Sequence, residues 1–84
     1  MYKNKNTDGT LNISGKRIQD LRKQLVPKTS QREFAELVQL YGVDIDKNAI
    51  QRIESGERFI TDIELKALAK ALNTTADDLL GFND

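Results

Sequence analysis

Apolar residues recur along this chain at helical spacing, and short polar residues of the capping type punctuate them. Ile18, Leu21 and Leu25 stand at i, i+3 and i+7 behind Ser14. That spacing predicts an amphipathic helix with Ser14 as its N-cap, ended ahead of Pro27 because the residue before a proline avoids the α region. Ser30-Gln-Arg-Glu33 has the form of a capping box and opens a second helix with Phe34, Leu37, Val38 and Tyr41 as its apolar face and Ala35 as a point of close approach. Gly42 provides a left-handed stop, and Val43-Asp-Ile-Asp46 reads as a connector whose last residue caps the next helix. This third helix runs from about Lys47 to Ser55, turns Ile50 and Ile53 inward and stops at Gly56. Thr61-Asp-Ile-Glu64 starts a fourth, with Leu65, Leu68, Ala69 and Leu72 as its stripe and Asn73 as its stop, and Thr75-Ala-Asp-Asp78 repeats the box ahead of a short fifth. No alternating strand pattern occurs, so the expected fold is all-α with five helices. Residues 1–12 are polar, contain Gly9 and lack a period, and are expected to form a flexible tail ahead of one domain over 13–84.

Composition narrows the function more than it narrows the fold. The 84 residues include no cysteine and no histidine, which removes disulfides, thiolate and imidazole metal sites and the commonest general base. No enzyme, metal or cofactor is expected, and the pairs Asp44/Asp46 and Asp77/Asp78 read as caps rather than as acid–base dyads. The first ten residues carry no apolar run of the kind a signal peptide or a membrane span needs, so the expected location is cytoplasmic. Net charge is zero, which argues against a nucleic-acid binder until the distribution is considered. Through Arg32 there are eight basic and two acidic residues, a balance of +6, and from Glu33 onward five basic and eleven acidic, a balance of −6. A chain so polarised can turn a basic face to phosphate, or its halves can pair with each other at a salt-bridged surface.

The third helix carries the chemistry. With Ile50 and Ile53 inward, Lys47, Asn48, Gln51 and Arg52 face outward, and these side-chain types read base edges: Lys and Arg donate to guanine, Asn and Gln pair with adenine. An amphipathic helix with such residues is common by itself. Their order with Gln31-Arg-Glu-Phe-Ala35, Ala49-Ile-Gln-Arg-Ile-Glu-Ser-Gly56, the run LKALAKAL from Leu65 to Leu72 and Asp77-Asp-Leu-Leu80 resembles the lambda-repressor-like, Cro-type (XRE) helix-turn-helix family over about Ser14 to Gly81. The resemblance implies that Lys47, Asn48, Gln51 and Arg52 read bases, that Gln31 meets a phosphate at the start of the second helix, and that Arg58 and Thr61 contact the DNA backbone. It also implies that Arg22 and Glu54 form a structural pair joining the first and third helices. Asp46 falls at a contact position of relatives, where an aspartate acts as a cap rather than a phosphate ligand. The spacing from Ala35 to Ile50 exceeds the family's, and Gln39 stands where the family has its tight-turn glycine. A second helix longer by about a turn is expected, with a wider connector after it.

Two functions fit these observations. One is a sequence-specific DNA-binding transcriptional regulator of repressor type that binds double-stranded DNA as a homodimer on a symmetric operator, with Leu79, Leu80 and Phe82 of the fifth helix region as the dimer surface. The other is an antitoxin or anti-repressor that keeps the scaffold and binds a basic protein through its acidic half. Neither requires a small-molecule ligand.

Overall fold

Ser30 and Thr61 set the starts of two helices by the same chemistry. In the computed structural model, which describes residues 8–82, the Ser30 hydroxyl accepts from the Glu33 amide and the Glu33 carboxylate accepts from the Ser30 amide, so both halves of the capping box are present at the start of α2 (Gln31–Gln39). Thr61 and Glu64 repeat this reciprocal pair at α4 (Asp62–Ala71). Around them lie α1 (Gly15–Lys23), α3 (Lys47–Ser55) and α5 (Ala76–Leu80), so the described residues form five helices and no strand. The class is all-α.

The core forms where these helices meet. Helix α3 packs against α1 and α2, α2 packs also on α4, and α4 holds α5. Ile18, Phe34, Val38, Ile50, Ile53 and Leu68 are fully buried between them, each such side chain contributing about 1.5–3 kcal/mol relative to exposure. Ala35, Ala67, Ala69 and Ala71 are buried as well and let the helix axes come close. Gly56 and Gly81 close α3 and α5 in the left-handed conformation, at φ 79° and 82°, and Asn73 does the same after α4 at φ 55°.

Several local expectations are corrected. Ser14 does not cap α1 with its side chain; it is already helical, at φ −96° and ψ −16°. The cap is Asn12, whose Oδ1 accepts from the Gly15 amide at 2.7 Å. At α5 the Thr75 hydroxyl accepts from the Asp78 amide, but the reciprocal half of the box is replaced. The Asp78 carboxylate instead accepts from the Thr74 hydroxyl at 2.7 Å and from Arg17 at 3.1 Å.

The segment between α2 and α3 departs further from expectation. Helix α2 is not lengthened by a turn; it ends at Gln39, and the Leu40, Tyr41 and Gly42 amides each donate three residues back in a tighter turn. That turn swings Tyr41 out of the apolar face, to 46% exposure, and leaves Leu40 at 80%. The connector itself contributes Ile45 to the core, where it is fully buried. Gln39 completes the arrangement by donating its side-chain amide to the Ile45 carbonyl at 2.9 Å. The glutamine in the place of a glycine therefore anchors the added chain.

Residues 1–7 of the expected tail lie outside the described residues. Residues 8–12 are tied to the body through the Leu11 amide, which donates to the Gly56 carbonyl at 2.8 Å; within the segment the Asp8 carboxylate accepts from both the amide and the hydroxyl of Thr10.

Candidate nucleic-acid interface

Asp46 begins the element on which the candidate base-reading residues sit. Its backbone is extended, at φ −97° and ψ −179°, and its carboxylate accepts from the Ala49 amide at 2.8 Å. At the other end the Gly56 amide donates to the Ile53 carbonyl and the Glu57 amide to the Arg52 carbonyl, the paired bonds of a Schellman stop. The nine-residue helix between is thus satisfied at both ends. Its inner face holds Ile50, Ile53 and Glu54, and the 3.6-residue period leaves Lys47, Asn48, Gln51 and Arg52 exposed on the other. Asn48, Gln51 and Arg52 line a shallow depression of about 280 Å³ together with Glu57. Lys47 lies one turn before Gln51 on the same side.

Glu54 locks this helix to two others. Its side chain is 1% exposed and accepts from Arg22 Nε at 2.6 Å, Arg22 Nη2 at 3.0 Å and Gln31 Nε2 at 3.0 Å. Arg22 donates further to the Thr29 carbonyl at 2.9 Å. Among the described residues no buried side-chain nitrogen or oxygen lacks a partner. Arg22 comes from α1 and Gln31 from the first position of α2, so one carboxylate fixes α3 against both. Gln31 accordingly stands beside α3 with its amide nitrogen directed inward.

Arg58 and Thr61 are brought together on the far side of α3. Arg58 donates through both terminal nitrogens to Glu64, at 2.9 and 2.8 Å, and to the Phe59 carbonyl at 2.9 Å. This forked pair raises the guanidinium's already high pKa, and the same bond holds the Glu64 carboxyl below the usual carboxylate range against the opposing effect of burial. Thr61 uses its hydroxyl as the α4 cap. Arg58 is therefore a cation whose charge is largely matched within the protein, and Thr61 an acceptor already engaged. No sequence spacing marks this pair, which joins a loop residue to the third position of α4, and Glu64 reads from the sequence as half of a capping box. Glu57, an unfavourable charge beside phosphate, is itself held in place: Ser55 donates its hydroxyl to the Glu57 carboxylate at 2.6 Å and keeps it beside Arg52.

A short helix is anchored from behind by a buried, triply bonded carboxylate, carries cationic and amide side chains in front and has another helix start alongside, which is the arrangement of a helix-turn-helix domain. The sequence agrees with this class over most of its length. A family model described as helix-turn-helix matches residues 18–79, and the chain belongs to that family, the lambda-repressor-like or XRE type of helical domain. No curated protein matches the chain, and no solved structure does. No helix of the described residues is long and apolar enough to cross a membrane, and no group of histidine, cysteine and acidic residues among them is placed to hold a metal ion.

Proposed function

We propose that this protein is a sequence-specific transcriptional regulator of repressor type that lays α3 in the major groove of double-stranded DNA. The observation that carries this reading is the division of α3: one face locked to α1 and α2 by Glu54, the other presenting Lys47, Asn48, Gln51 and Arg52 to solvent. A rigid, groove-sized element bearing two amides and two cations can distinguish base pairs by donor and acceptor pattern. Gln31, Arg58 and Thr61 flank α3 and serve the backbone contacts, Gln31 through the amide hydrogen that Glu54 does not take, Thr61 through its hydroxyl hydrogen and Arg58 through the part of its guanidinium that Glu64 does not cover. One such helix reads few base pairs, so the working form is a homodimer on a symmetric site. Leu79 is buried and cannot contribute to that contact; Phe82, 73% exposed, and the half-buried Leu80 remain for it. A regulator of this kind works in the cytoplasm, needs no cofactor and has no catalytic role.

Selection of bound duplexes from a random pool, followed by a salt titration on the selected sequence, tests the reading. Each phosphate neutralised adds about −0.9 to the slope of log K against log salt. Arg58 is the one cation assigned to phosphate, so a shallow slope of about −1 for each protomer is predicted, steeper only if exposed lysines or arginines beside α3 also reach phosphate. Absence of binding at about 50 mM salt, or binding indifferent to salt, would refute it. A second reading, an antitoxin or anti-repressor that binds a basic protein, draws on the exposed Asp44, Asp46 and Glu57 around α3 and on the neutralised Arg58. It requires that the same titration show no duplex binding.

A further inference from the structure

The chain ahead of α1 ends on the last turn of α3. Asn12 uses its whole amide there: Nδ2 donates to the Ile53 carbonyl at 3.1 Å and to the Arg58 carbonyl at 2.8 Å, while Oδ1 accepts from the Gly15 amide. One residue earlier, the Leu11 amide donates to the Gly56 carbonyl. The bonds to Ile53, Gly56 and Arg58 span more than forty positions of sequence; they give the Gly56 and Arg58 carbonyls a partner in place of water and add a second donor to the Ile53 carbonyl, which already accepts from the Gly56 amide. The approach is tight. A Cβ at Gly15 would lie 2.0 Å from the Ile53 carbonyl oxygen, and one at Gly56 would lie 2.6 Å from Thr10 Cγ2. Three backbone segments thus come together here, with the Asn12 amide bonded to each of them.

We propose that Asn12 is a positioning residue for DNA recognition, fixing the last turn of α3 and the loop to Arg58 so that Arg52 and Arg58 meet the duplex together. The proposal rests on the DNA-binding reading above. Its physical basis is that Arg52 stands in the last turn of α3 and Arg58 beyond the Gly56 stop. Between them the chain reverses through a left-handed residue, and the Asn12 amide bonds carbonyls on both sides of that reversal. Loss of the amide leaves α3 amphipathic and buried but frees the angle between the helix end and the loop.

Asn12→Ser tests this in the full chain, since serine keeps an oxygen suited to capping α1 and removes both donated bonds. The selected-over-random binding ratio is measured at a temperature where the variant is fully folded, beside Ala69→Gly, which destabilises the middle of α4 away from both α3 and the α5 surface. Asn12→Ser is expected to lower the ratio about tenfold, within the range that one mismatched base pair costs, while Ala69→Gly leaves it unchanged. Amide hydrogen exchange of the free protein is expected to speed up at Leu11, Gly56 and Glu57 and to stay near wild type in α2 and α4. A wild-type ratio in folded Asn12→Ser overturns the proposal even if the melting temperature falls, and so does exchange that rises uniformly. Failure of the DNA reading would show differently, as wild-type protein that prefers no duplex, and would overturn the positioning role with it.

Discussion

Glu54 offers the sharpest test of how this fold is held together. Replacing Arg22 by alanine removes two of the three donors to a carboxylate that is 1% exposed. The Gln31 amide is left to satisfy it alone. Stranding a buried charge in this way costs about 3–5 kcal/mol, whereas a domain of this size holds only about 4–12 kcal/mol in total, at about 0.05–0.15 kcal/mol per residue. The variant should therefore lose a quarter or more of its stability. Glu54→Ala should be nearly as damaging, because Arg22, 10% exposed at its side chain, keeps only the Thr29 carbonyl. The double change Arg22→Met with Glu54→Leu tells a different story: both charges are gone, the volumes are roughly kept, and the net effect should fall within about 1–2 kcal/mol of wild type. Urea denaturation followed by far-UV circular dichroism measures all three, with an unchanged m-value showing that the same surface is exposed on unfolding. Single variants that lose less than about 1 kcal/mol would refute the assignment of a desolvated pair. A double variant as unstable as the sum of the singles would show that packing, not charge, sets the cost.

The same geometry gives three further outcomes. Arg52→Ala should lower affinity for a selected duplex by about 1–3 kcal/mol and relax preference at one base pair; equal loss on selected and random DNA would remove it from the base-reading set. Glu64→Gln should flatten the acid limb of the stability profile. The Arg58 bond holds the folded carboxyl below its ordinary 4.5, so its contribution is present above that pH and is lost as pH falls through the depressed value. Denaturation midpoints measured across that window check this, and an acid slope equal to wild type would contradict it. Gly15→Ala should destabilise by about 1–3 kcal/mol as backbone and Cβ are forced apart, because the new Cβ would meet the Ile53 carbonyl oxygen at 2.0 Å; a melting temperature at or above wild type would mean that α1 can move away from α3 at little cost.

What is legible in the sequence is what neighbours in sequence decide. Ser30 with Glu33, Thr61 with Glu64 and Asp46 with Ala49 are bonds across three residues, and each stands where the pattern puts it. Asn12 is hidden because Ser14 is the nearer candidate and because two of its bonds cross the whole domain to Ile53 and Arg58. Tyr41 misleads for a related reason. Helical spacing assigns it to the buried face, but the turn at Leu40 rotates it outward, while the connector buries Ile45, whose neighbours in sequence are aspartates. No period marks a single apolar residue in a connector; its burial depends on where Gln39 holds the backbone. For the candidate interface, the outward face of α3 is legible from periodicity alone. The engagement of Arg58 by Glu64 is not, since a guanidinium after a helix stop reads equally as a ligand for phosphate or for carboxylate.

That engagement bears on how a chain of zero net charge can serve DNA at all. Two of the ion pairs, Arg17 with Asp78 and Arg22 with Glu54, join a cation from the basic half to an acid from the acidic half. The halves thus stitch to each other, and a third pair matches the charges of Arg58 and Glu64. Lys28, Arg32, Lys47 and Arg52 enter no ion pair among the described residues and are all exposed. Acids engaged by internal cations cannot repel phosphate at the distances that matter, because a matched pair presents a dipole whose field falls off faster than that of a charge and is screened within about 10 Å. The relevant quantity is the charge that α3 and its flanks present, and on α3 itself the outward charges are Lys47 and Arg52. Against them stand Asp46, bonded to a backbone amide, and Glu57, bonded by Ser55. So weak a surplus cannot supply tight binding through phosphates. In the proposed role, discrimination would rest on the hydrogen-bond pattern of Asn48, Gln51 and Arg52 held in register, so the bonds behind α3 would matter as much as the residues in front of it.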